Sequence, residues 1–264
     1  MKNDQQVIEK LKSRSFKAII FDFDGTILDI MEPLRNSIEE VYSEKGINSE
    51  MESTIHEIGS VLESVQGYPI PKILLQSYEI FNYITSLEKL SFLKKFRVAL
   101  KIFSRYQEYS KEAQLFPETK ILLEFLYKNV DLYIVSHNQS KSIIEHLQKH
   151  DIEKYFKEFF GADKLPHLKP DPEALMPVLG KYRGSKIKDF LIIGDMPSDI
   201  EAGKELGIHT IAIASGISKK EILLEYDPDL LVNSISELLN LIGIENGRFS
   251  NSNIQDQNSL KIKS

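Results

Sequence analysis

Lys17-Ala18-Ile19-Ile20-Phe21 runs straight into Asp22-Phe23-Asp24-Gly25-Thr26. An apolar run of that length, stopping at a polar turn that contains glycine, reads as a strand buried on both faces, as in a parallel sheet. The shape recurs along the chain. Leu132-Tyr133-Ile134-Val135 ends at Ser136-His137-Asn138, Phe190-Leu191-Ile192-Ile193 ends at Gly194-Asp195, and Thr210-Ile211-Ala212-Ile213-Ala214 ends at Ser215-Gly216. Helix-periodic segments lie between these runs, from Glu118 to Lys128, Lys141 to His150, Pro172 to Tyr182 and Ile200 to Leu206. Strand and helix in alternation predict an α/β fold, an open parallel sheet with right-handed crossovers and helices on both faces.

The rhythm breaks from about Met31 to Leu115. Here the period is helical, carried by Leu34, Ile38, Val41 and Tyr42, then Ile55, Ile58, Val61, Leu62 and Val65, then Leu90, Leu93, Phe96, Leu100 and Phe103, with Pro69 and Pro71 as punctuation. The pattern predicts an all-helical domain inserted after the first strand, its core including Phe81, Tyr83, Phe92 and Phe96. Residues 16–30 and 116–243 then form the α/β core and residues 31–115 the insert, with residues 1–15 and 246–264 expected to be flexible tails.

With 33 Lys and Arg against 39 Asp and Glu, the 264-residue chain carries a formal charge of −6, which disfavours nucleic acid as a partner. Cysteine is absent, which excludes disulfides, zinc–thiolate sites and thiol nucleophiles. The amino terminus lacks the apolar core of a signal peptide, and no apolar run approaches the ~20 residues of a membrane span. The expected location is the cytoplasm.

In open α/β sheets the ligand site lies beyond the carboxyl ends of the strands. That rule gathers Asp22, Asp24, Ser136, Asn138 and Asp195 on one edge, with Lys169 joining them from the loop Leu168-Lys169-Pro170-Asp171-Pro172. Asp22, Asp24, Asp195 and Asp199 in one small space repel one another and call for a cation. Hard oxygen ligands without His or Cys favour Mg²⁺, which commonly shares its coordination with a substrate phosphate. Lys169 adds a fixed positive charge, and Ser136 with the amides of the Gly25-Thr26 and His137-Asn138 turns adds donors for phosphate oxygens. Asp29, Asp163 and Asp171 read as turn formers or caps, and His137, His167 and His209 as structural or solvated.

Asp22-Phe23-Asp24-Gly25-Thr26, Ser136 after a strand, Lys169-Pro170 before a helix and Gly194-Asp195-Met196-Pro197-Ser198-Asp199 together resemble the four ordered motifs of the haloacid dehalogenase-like superfamily. The resemblance spans about Phe16 to Ile242, and within the superfamily it is to the phosphatases with a helical cap, the group of phosphoglycolate phosphatases and β-phosphoglucomutases. It implies a Rossmann-like core with the cap inserted after the first motif. It also implies a Mg²⁺-dependent phosphatase acting on a small phosphorylated metabolite, with Asp22 as nucleophile and Asp24 as acid and base. Asp22, Asp195, Asp199 and the Asp24 carbonyl are the implied metal ligands. Gly25, Thr26, Ser136, His137, Asn138 and Lys169 are the implied phosphate site. His137 stands directly after Ser136, where family members usually carry Asn. A phosphosugar mutase and a non-catalytic phosphate-binding protein are the alternatives.

Overall fold

The computed structural model describes residues 2–65, 84–245 and 248–249. Pro69, Pro71, Phe81, Tyr83 and nearly all of the tail from Asn246 lie outside the described residues. Six parallel strands form the main sheet: β1 (Ala18–Phe21), β4 (Asp131–Val135), β5 (Phe156–Phe160), β6 (Phe190–Gly194), β7 (His209–Ile213) and β8 (Leu230–Val232), in the order β5-β4-β1-β6-β7-β8. The predicted runs are β1, β4, β6 and β7; the two edge strands β5 and β8 are additions that the structure makes to them.

The period of two along β1 shows why the fold is stable. Ile19 and Phe21 point into one core layer with Leu132, Ile134, Leu191 and Ile193, whereas Ala18 and Ile20 point into the other with Tyr133, Val135, Phe190 and Ile192. Both faces are covered, so every residue of β1 is buried, and each large side chain contributes about 1.5–3 kcal/mol relative to exposure.

Helix α1 (Lys2–Lys12) corrects the expectation of a flexible amino terminus. Its Val7 and Leu11 are fully buried in the first layer beside Phe16, so this segment belongs to the core. The polar sequence hid this because only one stripe of the helix is apolar.

The insert is tied to the core by a two-stranded ribbon too short to show as an apolar run. Strand β2 (Leu28–Asp29) pairs antiparallel with β3 (Gln114–Leu115), Leu28 opposite Leu115 and Asp29 opposite Gln114. Between them lie α2 (Met31–Lys45), α3 (Met51–Val65) and α4 (Phe92–Tyr109). Leu34, Ile38, Val41 and Tyr42 of α2 meet Ile55 and Ile58 of α3 and Val98 and Ile102 of α4 in a separate core. The expected α4 stripe is corrected: Leu93, Leu100 and Phe103 are 67%, 52% and 42% exposed, while Val98 and Ile102 turn inward. Phe92 is likewise 41% exposed and stacks on Phe96.

After β3 the core helices are α5 (Thr119–Leu126), α6 (Ser140–Lys149), α7 (Met176–Leu179), α8 (Pro197–Leu206), α9 (Lys220–Glu225) and α10 (Ile235–Leu241). Among the described residues no helix is long and apolar enough to cross a membrane.

Candidate active site

The register of the sheet brings the chemistry together. Phe21 sits opposite Ile134 on one side and Ile193 on the other, and β4 and β6 each run one residue further, so Asp22, Ser136 and Asp195 leave the sheet within one residue of a common level. Asp22 is the first residue past β1, its amide donating to the Ile193 carbonyl at 2.9 Å, and β1 is flanked by the strands that deliver Ser136 and Asp195. This is the edge where an open sheet places its ligands.

Asp22, Asp24, Ser136, Lys169, Asp195 and Asp199 are all buried there. Lys169 Nζ donates to Asp22 Oδ1 at 2.7 Å, to Asp199 Oδ1 at 2.6 Å and to the Val135 carbonyl at 2.9 Å. An ammonium has three protons, so all its donors are spent. Asp199 serves two elements at once, because its Oδ2 also accepts from the Met196 amide at the start of α8.

Asp195 is held by its surroundings. Thr26 Oγ1 donates to Oδ1 at 2.8 Å and the Ile217 amide to Oδ2 at 2.7 Å. Gly25 lies against the same carboxylate: its φ is +82°, and a Cβ there would fall 2.2 Å from Asp195 Oδ2. Glycine at this position is thus required both by the left-handed turn and by the close approach.

These contacts amend the expected phosphate donors. The Gly25 amide is bonded to the Leu28 carbonyl at 2.9 Å, the Thr26 hydroxyl to Asp195, and the Asn138 amide to Ser136 Oγ at 3.1 Å. Asn138 Oδ1 accepts from the Gln139 amide, which turns that side chain to shaping the loop. Ser136 Oγ accepts from Asn138, which leaves the hydroxyl proton to donate. His137 is buried beside it. The turn-forming acids behave as expected: Asp29 accepts from the Met31 amide, Asp163 from the Ser140 amide and Asp171 from the Glu173 amide. His209 is structural, buried and bonded to Asp229.

Burial sets the electrostatics. It raises the Asp22 carboxyl well above the ordinary range; Lys169 opposes the shift, while Asp199 and Asp195 add to it. Asp195 is pushed up to about 7, by burial first and Asp199 second, against the stabilising Ile217 amide and Thr26 hydroxyl. Burial alone would lower Lys169, but attraction to Asp199 and Asp22 outweighs it and holds the ammonium above its usual value. One ammonium therefore does not compensate the carboxylates in their charged forms.

A cation fits that deficit. Carboxylate oxygens of Asp22, Asp195 and Asp199 lie within 4.8 Å of one another, all buried, a set of hard donors without nitrogen or sulfur. The Asp24 side chain is not in this cluster. Its backbone forms a bridge with Leu28, so Asp24 is fixed on the turn that leads to β2.

The family model described as haloacid dehalogenase-like hydrolase matches residues 19–213. A phosphoglycolate phosphatase of Vibrio cholerae is 28% identical over 233 residues, covering 87% of this chain and 98% of the relative. A pyrophosphatase of Oceanobacillus iheyensis is 25% identical over 230 residues, covering 87% and 98%. Among solved structures, a haloacid dehalogenase-like family hydrolase of Streptococcus pneumoniae superposes with a TM-score of 0.61 at 25% identity, covering 86% of this chain and 98% of that one. With the motifs in order, the strand ends aligned and the helical domain inserted after the first motif, the chain belongs to the haloacid dehalogenase-like hydrolases.

Proposed function

We propose that the protein is a Mg²⁺-dependent phosphatase that hydrolyses a small phosphomonoester of the phosphoglycolate kind through a phosphorylated Asp22. The observation that carries this reading is the buried Asp22 carboxylate, bonded to Lys169 and within 4.8 Å of Asp195 and Asp199 at the end of β1. An Asp22 oxygen attacks phosphorus while the bond to the leaving oxygen breaks and Asp24 protonates that oxygen. Asp24 then takes a proton from the incoming water, which attacks the phosphoryl group, frees phosphate and restores the Asp22 carboxylate.

Lys169 acts as a fixed charge at the nucleophile and reaches a phosphoryl oxygen by exchanging one of its three bonds. Ser136 offers its hydroxyl proton to another phosphoryl oxygen. Asp22, Asp195, Asp199 and the Asp24 carbonyl would hold Mg²⁺, whose charge, when bound, offsets the carboxylates and the phosphate. Thr26, the Ile217 amide and Gly25 keep Asp195 oriented for that task.

The test is a panel of phosphorylated metabolites, including phosphoglycolate, pyrophosphate and sugar phosphates, assayed with Mg²⁺ for released phosphate. Hydrolysis of one or a few small monoesters, lost on chelation, is the expected result. Full activity after exhaustive chelation would overturn the metal assignment, and transfer between sugar hydroxyls without released phosphate would make the protein a mutase.

A further inference from the structure

The groups at the sheet edge are shut away from solvent, and one contact explains how the inserted domain meets them. Helix α3 lies against the loop after β7. His56 and Gly59 are three residues apart and share a face of α3. Gly59 leaves room for Ile217, since a Cβ there would lie 3.1 Å from Ile217 Cγ2 and 3.0 Å from Leu34 Cδ2. One turn earlier, His56 Nδ1 is 2.5 Å from the Ile217 carbonyl. A carbonyl only accepts, so Nδ1 carries the proton and donates it.

The other end of Ile217 faces the site. Its amide donates to Asp195 Oδ2 at 2.7 Å. Its neighbour Gly216 packs so closely on the same carboxylate that a Cβ would lie 2.1 Å from Oδ2. Residue 217 is thus gripped by Asp195 through its N–H and by the inserted domain through its C=O, and its side chain, buried, fills the notch at Gly59.

We propose that His56 is a positioning residue that latches α3 to the Ile217 carbonyl and thereby fixes the amide that orients Asp195, so that closure of the cap and the arrangement of the cation site are coupled. The coupling to catalysis rests on the phosphatase reading above; the coupling to the cation does not. When the cap swings away, the loop loses its outer restraint, and Asp195 keeps Thr26 but loses a rigid second donor. The latch therefore favours a well-formed cation site in the closed state.

The test compares wild-type full-length protein with His56→Ala, His56→Asn and Gly59→Ala. Asn places an amide N–H close to where Nδ1 stands, so it keeps the bond, while Gly59→Ala crowds the Ile217 and Leu34 side chains with His56 intact. Amide hydrogen exchange and calorimetric titration with Mg²⁺ alone are the readouts. His56→Ala is expected to speed exchange at Ile217 and weaken Mg²⁺ binding by roughly fivefold, the effect of one lost hydrogen bond. His56→Asn should restore most of both, Gly59→Ala should speed exchange at Ile217, and β1 and β4 should be unchanged.

Unaltered Ile217 exchange in His56→Ala overturns the latch, as does faster exchange spread evenly over the sheet with Asn no better than Ala. In an active enzyme, the kcat deficit of His56→Ala should recover at saturating Mg²⁺ with KM little changed. If the wild type hydrolyses no ester, the phosphatase reading fails, yet exchange and titration still decide the latch.

Discussion

Lys169 is the residue on which the site's electrostatics turn, because its three protons go to two buried acids and a carbonyl. Removing it leaves Asp22 and Asp199 without the opposite charge that they share. Lys169→Met should cost about 3–5 kcal/mol of stability at neutral pH, and less in acid, where the stranded carboxyls protonate; denaturant unfolding at two pH values measures both. Asp22→Asn should leave the fold intact and lower turnover on the order of a thousandfold or more, since an amide is a poor nucleophile. Near wild-type turnover in that folded variant would remove Asp22 from the mechanism. Asp24→Asn should cost about 10²–10⁴-fold, visible in single-turnover kinetics as slower phosphorylation and dephosphorylation. That the acids, Ser136 and Lys169 gather at one sheet edge is legible in the sequence, because residue type and strand context place them there. The hydrogen bonds that occupy the Gly25 amide and the Thr26 hydroxyl were not, since they depend on where Leu28 and Asp195 return in space. The Ile217 amide was missed for the same reason: a backbone donor leaves no mark in the identity of its residue.

Among the elements, the central strands were legible and the edges were not. A strand covered on both faces must be apolar throughout, as β1 and β6 are. Strand β5, Phe-Lys-Glu-Phe-Phe, has exposed Lys157 and Glu158 in its middle, as an edge tolerates, and β8 has only three residues, so neither forms a long apolar run. Helix α1 is the clearest gap between sequence and structure. Its composition is that of a solvated tail, and only the spacing of Val7 and Leu11 carries the signal for burial. Leu11→Ala should accordingly destabilise the protein by about 2–5 kcal/mol, as for any large-to-small change in a core. A melting temperature equal to wild type would return this segment to the tail. In the inserted domain the α2 stripe is legible in full, whereas in α4 the period places Phe96 against the core but Leu93, Leu100 and Phe103 outward. Its apolar residues occupy more than one face, so periodicity alone did not choose between Leu93-Leu100 and Val98-Ile102.

For the whole molecule, burial of the acids makes stability depend on pH and cation together. The ordinary carboxyl value is 3.8 and that of Asp195 is about 7, so the folded protein holds this proton more tightly than the unfolded chain. Its contribution is full below the lower value and is lost as pH rises through the upper one. A cation site has the opposite preference, because its ligands must be ionised. The rise in melting temperature caused by Mg²⁺ should therefore grow between about pH 5 and about pH 8 and flatten in Asp195→Asn; a pH-independent increment would contradict the assignment. The domain division carries an expectation about substrate choice as well. Substitutions in the inserted domain should alter the ratios of kcat/KM among natural esters more than they alter hydrolysis of a very small activated ester. The ribbon of β2 and β3 has one more consequence. Leu28 faces Leu115 and Asp29 faces Gln114, so the chain leaves the core and re-enters it through a single doorway. The core's own path is nearly continuous across that gap, which makes the domain between the two strands a cassette: one of different length could be exchanged for it, or a short turn could close over it, without asking any core strand to move.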